Sequence, residues 1–242
     1  MQKSLSAHHN NNFNFLRLLL AVLVLLSHSW ELIDGNRNRE ILTRIFHTIS
    51  LGELAVDGFF LISGYLILQS WQRNPTFHIF LKKRILRIYP GFIAASLVSA
   101  FVVGPLAATT DYFAEFSLFR FLKSLVLLQP PSVPPVFSGQ PYPMVNNSMW
   151  TISYEFRCYL IVAAIGICGL VGRRIWLSFS ALALVLALSP GFATHLAKIS
   201  WVLVGEPAAF SRFLSFFFVG GCFYLFRDRI HYRFTWVLVT MP

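Results

Sequence analysis

Few of the 242 residues carry charge: Asp, Glu, Lys and Arg together make 12%, about half the share of a soluble domain. That excludes an ordinary water-soluble fold. Acids are the rarer sign, ten against twenty Lys and Arg, so the chain carries a net charge of +10. In a soluble protein such an excess points to nucleic acid. Here the basic residues sit in short segments between apolar runs, so they report membrane topology and imply no nucleic-acid partner. Cysteine is scarce too. Cys158, Cys168 and Cys222 all fall inside apolar runs and have no metal-ligand spacing, which excludes a disulfide framework and a cysteine metal centre. Internal repeats are missing. The first apolar run lacks a small-residue cleavage site and is followed by further runs, unlike a signal peptide.

What remains is hydrophobic. Apolar residues make 56% of the chain, with 25 Phe and 6 Trp suited to lipid-facing and interfacial positions. The expected fold is all-α: a polytopic transmembrane helix bundle of about six complete spans plus a truncated seventh. The spans fall at 13–32, 51–71, 88–108, 149–171, 175–189 and 211–226, and the seventh begins near Phe234. Residues 1–12 form a polar tail with His8 and His9. Residues 116–128 are too short to span and suit an amphipathic or re-entrant helix. Residues 129–143 hold six prolines and form a loop.

Lys and Arg sort the loops. Residues 72–87 carry Arg73, Lys82, Lys83, Arg84 and Arg87 with no acid, whereas 34–50 and 109–148 are mixed. The N-terminus and the 72–87 segment are therefore expected in the cytoplasm.

Several charges lie inside the apolar runs. FLRLLLAVLVLLSHSW, residues 15–30, holds Arg17 and His28. Eleven residues apart on a helix, they lie ~20° out of register and ~16 Å apart along the axis. They share one face with Asn14, Ala21, Val24 and Glu31. Asp57 in the second span and Glu155 in the fourth each lie about six residues from the expected outer end. Counting from the ends puts His28, Asp57 and Glu155 in one layer. A histidine beside carboxylates suits a general base, or a structural polar network. Ser148, Thr151, Glu155 and Tyr159 form a polar stripe, and Gly58 and Gly64 allow close helix approach. At the other depth, Lys83, Arg84 and Arg87 crowd the expected start of the third span, level with Arg17. Guanidinium forks there suit phosphates. The distance between the two levels is comparable with the pantetheine arm of coenzyme A.

Four motifs, in order, resemble the membrane acyltransferase-3 family of bacterial O-acyltransferases. They are Arg17 and His28 in the first span, VDGFFLISGYLI at 56–67, KKRILRIYP at 82–90 and MWTISYEFRCYL at 149–160. The resemblance runs from about Phe13 to Tyr159 and identifies 13–242 as a domain of this type. It implies transfer of an acyl group, acetyl above all, from acyl-CoA to a hydroxyl of a glycan or lipid-linked acceptor. It also implies an integral protein of the bacterial inner membrane. Acetyl-CoA enters as donor substrate, with no resident cofactor and no metal. By the resemblance His28 is the catalytic histidine and Arg17 the motif arginine. Arg84 and Arg87 contact coenzyme A, and Glu155 or Asp57 assists His28. Phe156 stands where many relatives carry a second acid. The family usually has about ten spans, so a C-terminally incomplete domain is expected. The rival readings are a proton-coupled transporter or flippase, built from the same intramembrane His, Asp and Glu, and an inactive subunit.

Overall fold

The computed structural model describes residues 12–109, 111–189 and 205–230. Among these, every regular element is helical: α1 (Phe13–Asp34), α2 (Ile41–Phe46), α3 (Leu51–Arg73), α4 (Phe77–Val98), α5 (Gly104–Ala107), α6 (Tyr112–Glu115), α7 (Leu118–Val126), α8 (Thr151–Ile167), α9 (Arg173–Leu188) and α10 (Pro207–Leu225). The expected seventh span and the residues of the N-terminal tail before Asn12 lie outside the described residues.

Among the described residues six long helices overlap the six expected spans, but only four are long and apolar enough to cross a bilayer: Phe13–Ile33, Leu51–Arg73, Phe77–Ala107 and Pro207–Leu225. The expectation of six complete spans is corrected to four on this measure. Helices α8 and α9 have 17 and 16 residues. At 1.5 Å per residue they reach only ~26 and ~24 Å, short of a ~30 Å hydrocarbon core. The third span also begins earlier than expected. Helix α4 starts at Phe77 and continues through a π-helical stretch, Ser99–Val103, into α5. Lys83, Arg84 and Arg87 therefore stand in its second and third turns, not at its beginning. The apolar pattern placed the start too late because the basic turns interrupt it. Pro90 is accommodated inside the same helix.

The chain divides into two compact units, Met1–Phe59 and Phe60–Pro242, with the boundary inside α3. In the first, α1 ends at Gly35, whose left-handed backbone (φ 72°) lets its N–H reach Glu31 O at 3.0 Å. Helix α3 opens with a reciprocal capping box: Ser50 N–H donates to Glu53 Oε2 (2.8 Å) and Glu53 N–H to Ser50 Oγ (3.1 Å). Glu40, fully buried, caps α2. Its Oε2 accepts Thr43 N–H (2.8 Å) and Thr43 O–H (2.7 Å), and its Oε1 accepts Leu51 N–H (2.7 Å). One carboxylate thus ties the α2 cap to the first turn of α3. Glycines set the α1–α3 approach. A Cβ on Gly58 would lie 3.0 Å from the Leu20 side chain, and one on Gly52 would lie 2.9 Å from Ser27 Oγ. Moving from Leu20 to Ser27 on α1 moves from Gly58 to Gly52 on α3, so the two run antiparallel.

In the second unit α9 and α10 form an extensive helix pair. Trp176, fully buried, donates its indole N–H to Phe218 O at 2.9 Å, and Gly221 makes room for the ring. Helix α10 crosses α3 backbone to backbone. A Cβ on Gly64 would run into Phe217 O, and one on Gly220 into Leu61 O. Gly166 of α8 is filled by Trp71 of α3 in the same way. Small residues at these crossings let helices approach where no water drives association. Amphipathic α7 turns Phe121 and Ser124 inward and leaves Leu118, Phe119 and Val126 exposed. Residues 129–143 carry no regular element, as the prolines dictate.

Candidate active site

The candidate residues fall into two groups, one in each unit. In the first unit, His28 and Glu31 lie one helical turn apart near the C-terminal end of α1, with His28 Nδ1 3.1 Å from Glu31 Oε2. Spacing i,i+3 brings the two side chains onto one face. Both are partly shielded, with side-chain exposures of 35% and 22%. With Nδ1 donating its proton to the carboxylate, Nε2 keeps a free lone pair. That is the arrangement of a histidine base oriented by an acid. Ser27, beside His28 in sequence, is buried against Gly52.

The expected layer of His28 and Asp57 does not match the helix register. Leu20 packs on Gly58 and Ser27 on Gly52, so Asp57 is level with residues 21–22 of α1. That leaves it ~10 Å along the axis from His28 and ~7 Å from Arg17. Counting from span ends misplaced it because those ends are not level: Ser27, seven residues before the end of α1, already packs on Gly52 at the start of α3. Asp57 is buried, at 3% exposure. Glu31, which sequence reading put on the right face without a role, is the carboxylate at hydrogen-bond distance from His28. The signal was its spacing from His28.

The second group joins α3, α4 and α8. Arg84 is buried. Its Nη2 donates to Ser70 Oγ at 3.2 Å, and its guanidinium lies 5.7 Å from the Phe80 ring centroid and 5.9 Å from that of Tyr159. Glu155 accepts hydrogen bonds from the hydroxyls of Ser63 (2.9 Å) and Tyr159 (2.5 Å), and both Glu155 and Tyr159 act electrostatically on Arg84. Arg87 is exposed one turn on and within electrostatic reach of Tyr159. The structure therefore brings Glu155 together with Arg84, and Tyr159 links both to Arg87. Half of the polar stripe read from the sequence, Glu155 and Tyr159, is part of this network. Ser63 lies in the 56–67 motif but was given no role of its own, and Ser70 carried no sequence signal.

One property links the two groups. Among the described residues, three buried side-chain polar atoms have no hydrogen-bond partner: Arg17 Nε, Arg84 Nε and Ser96 Oγ. Buried donors are nearly always satisfied, and an orphan one calls for an explanation. Two of the three belong to arginines already singled out as anion contacts. No group of three or more His, Cys, Asp or Glu able to hold a metal occurs among the described residues.

A family model described as an acyltransferase domain matches residues 10–241. An O-acetyl transferase of Shigella phage Sf6 is 33% identical over 156 residues, 64% of this chain and 45% of that protein. Nodulation protein 10 of Rhizobium leguminosarum bv. viciae is 29% identical over 171 residues, 64% of this chain and 44% of that protein. Acyltransferase MdmB of Streptomyces mycarofaciens is 28% identical over 127 residues, covering 51% and 30%. Each match covers less than half of the relative's length. No solved structure matches the chain.

Proposed function

This chain belongs to the acyltransferase-3 family, and we propose that it transfers an acyl group, acetyl first among them, from acyl-CoA to a hydroxyl of a glycan or lipid-linked acceptor. The observation that carries the reading is the His28–Glu31 pair on an apolar helix. The phage relative's name, O-acetyl transferase, supports acetyl as the group and oxygen as the acceptor atom. His28 Nε2 takes the proton of the acceptor hydroxyl, and the oxygen adds to the thioester carbonyl. The carbon–sulfur bond then breaks, and the leaving thiolate takes the proton from the imidazolium, giving an ester and free coenzyme A. Glu31 stabilises the imidazolium while it exists. Within the second unit, the unpartnered Nε donor of Arg84, with Arg87 at the surface, supplies guanidinium contacts for the phosphates of the coenzyme. Glu155 holds Arg84 electrostatically, so its role lies with donor binding. The protein resides in a bacterial inner membrane with its N-terminus in the cytoplasm.

The test uses membranes carrying the full chain and radiolabelled acetyl-CoA, and counts label in base-labile ester on the glycan fraction. His28→Ala lowers transfer by about 10²–10⁴-fold, the usual contribution of a positioned general base. Transfer within twofold of wild type in that variant removes His28 from the chemistry.

A further inference from the structure

We infer that a cavity of about 510 Å³, lined by Gln129, Asn147, Trp150, Tyr154, Arg157 and Glu206, binds a neutral sugar ring and selects the acceptor. Its chemistry is independent of the acyl-transfer reading, but its role as acceptor site rests on it. The volume lies within the range of small-molecule sites.

The cavity is built on α8, the N-terminus of α10 and the end of the turn after α7. Its wall is held in place by tight contacts. Glu206 N–H donates to Tyr154 Oη at 2.7 Å, and the Arg157 guanidinium lies 4.8 Å from the Tyr154 ring centroid. Gly205 has φ +68°, and a Cβ there would lie 2.6 Å from Tyr154 Oη and 2.7 Å from Arg157 Nη1. Only glycine fits that turn, on both conformational and steric grounds. Behind the wall, Trp150 and Tyr154 meet edge to face at 5.5 Å, and each packs on Phe213. The aromatic surfaces are therefore fixed in orientation.

The lining decides the ligand class. Among the described residues its charged and amide side chains are the Arg157 guanidinium, the Glu206 carboxylate and the amides of Gln129 and Asn147. An anion would meet Glu206 and a cation would meet Arg157, so neither is favoured. A hydroxyl both donates and accepts, and a ring bearing several hydroxyls can use all four groups. Trp150 and Tyr154 add flat apolar surfaces for the C–H face of such a ring. Asn147 Nδ2 gives one of its two N–H donors to Tyr142 Oη at 2.7 Å, which leaves the other N–H and the carbonyl oxygen for a ligand.

The test is saturation-transfer NMR on the full chain in detergent. The probes are the methyl glycosides of glucose, galactose and mannose, with methyl glucuronide and coenzyme A as charged comparators. At least one neutral glycoside binds, and Arg157→Gln and Glu206→Gln each weaken it about tenfold, as loss of a charge-assisted hydrogen bond requires. Acetyl-CoA binding changes less than twofold in both variants. Gln129→Ala, on the turn outside the helices, gives a second and milder loss if either charge variant fails to fold. Binding of none of the three neutral glycosides overturns the inference, as does binding of the glucuronide or coenzyme A alone, or glycoside binding unchanged in all three variants. Acetyl transfer at full rate in Arg157→Gln and Glu206→Gln overturns the cavity's role and leaves the acyl-transfer reading standing. Absence of any transfer by the wild-type chain that still binds a neutral glycoside overturns that reading and leaves the cavity's ligand class standing.

Discussion

Replacing Glu31 by Gln removes one charge and keeps the shape of the side chain. In the proposed reaction His28 becomes an imidazolium as the acceptor hydroxyl loses its proton, and Glu31 lies 3.1 Å from its Nδ1. With charge centres about 4 Å apart, the attraction is ~4 kcal/mol at an effective dielectric of ~20. Side-chain exposures of 35% and 22% admit water, which reduces the attraction to about 1 kcal/mol. Glu31→Gln therefore slows the chemical step by about fivefold. The donor makes no contact with Glu31 in this mechanism, so KM for acetyl-CoA stays within twofold. The assay is initial-rate transfer from radiolabelled acetyl-CoA at saturating donor, with wild type, Glu31→Gln and His28→Ala side by side. A Glu31→Gln enzyme with wild-type kcat beside an inactive His28→Ala enzyme refutes the dyad. A change in KM alone refutes it equally, because that places Glu31 in binding and not in proton transfer.

Gly220→Ala puts a methyl group into the carbonyl of Leu61 at the α3–α10 crossing. The helices must separate, at ~1–3 kcal/mol or more, and size-exclusion chromatography after detergent extraction shows loss of the monodisperse peak. Glu40→Gln leaves an amide with a single carbonyl oxygen where two carboxylate oxygens serve Thr43 and Leu51, so a thermal melt at neutral pH shows about 1–3 kcal/mol of lost stability. Burial alone would raise the Glu40 carboxyl, but hydrogen bonds from the Thr43 hydroxyl and the backbone N–H groups of Thr43, Leu51 and Leu42 outweigh it and hold it below its ordinary value of 4.5. The stabilisation is therefore complete above pH 4.5 and falls away as pH drops through the folded value; Glu40→Gln lacks that acid step, and a variant that keeps it contradicts the assignment.

The helices were legible because long apolar runs admit few other structures in a membrane. The starts of α1 and α3 and the proline-rich connection came out as read. So did Gly64, whose missing side chain is filled by the α10 backbone. Depth was less legible. Asp57 and His28 looked level when counted from span ends, yet the Leu20–Gly58 and Ser27–Gly52 contacts set a register that separates them. A register is fixed by packing on another helix, and no single segment records it. The start of α4 was hidden for a related reason. Basic residues broke the apolar pattern at Lys82–Arg87, although helix continues through them with Arg84 buried and its neighbours exposed.

The two arginine positions explain why apolar helices keep such costly residues. A guanidinium with a buried, unpartnered Nε costs stability in the empty protein, so packing alone would favour its loss. Arg84 has aromatic faces at two sides and a hydroxyl at one nitrogen, which fixes the plane of the fork while leaving a donor unused. A fork held in one plane with a donor to spare loses little entropy when an anion arrives. In the proposed mechanism His28 follows a similar logic: Glu31 occupies one ring nitrogen and leaves the other for the acceptor hydroxyl. In each case the fold satisfies part of a polar side chain's hydrogen-bonding capacity, and the proposed mechanism uses the part that it leaves over.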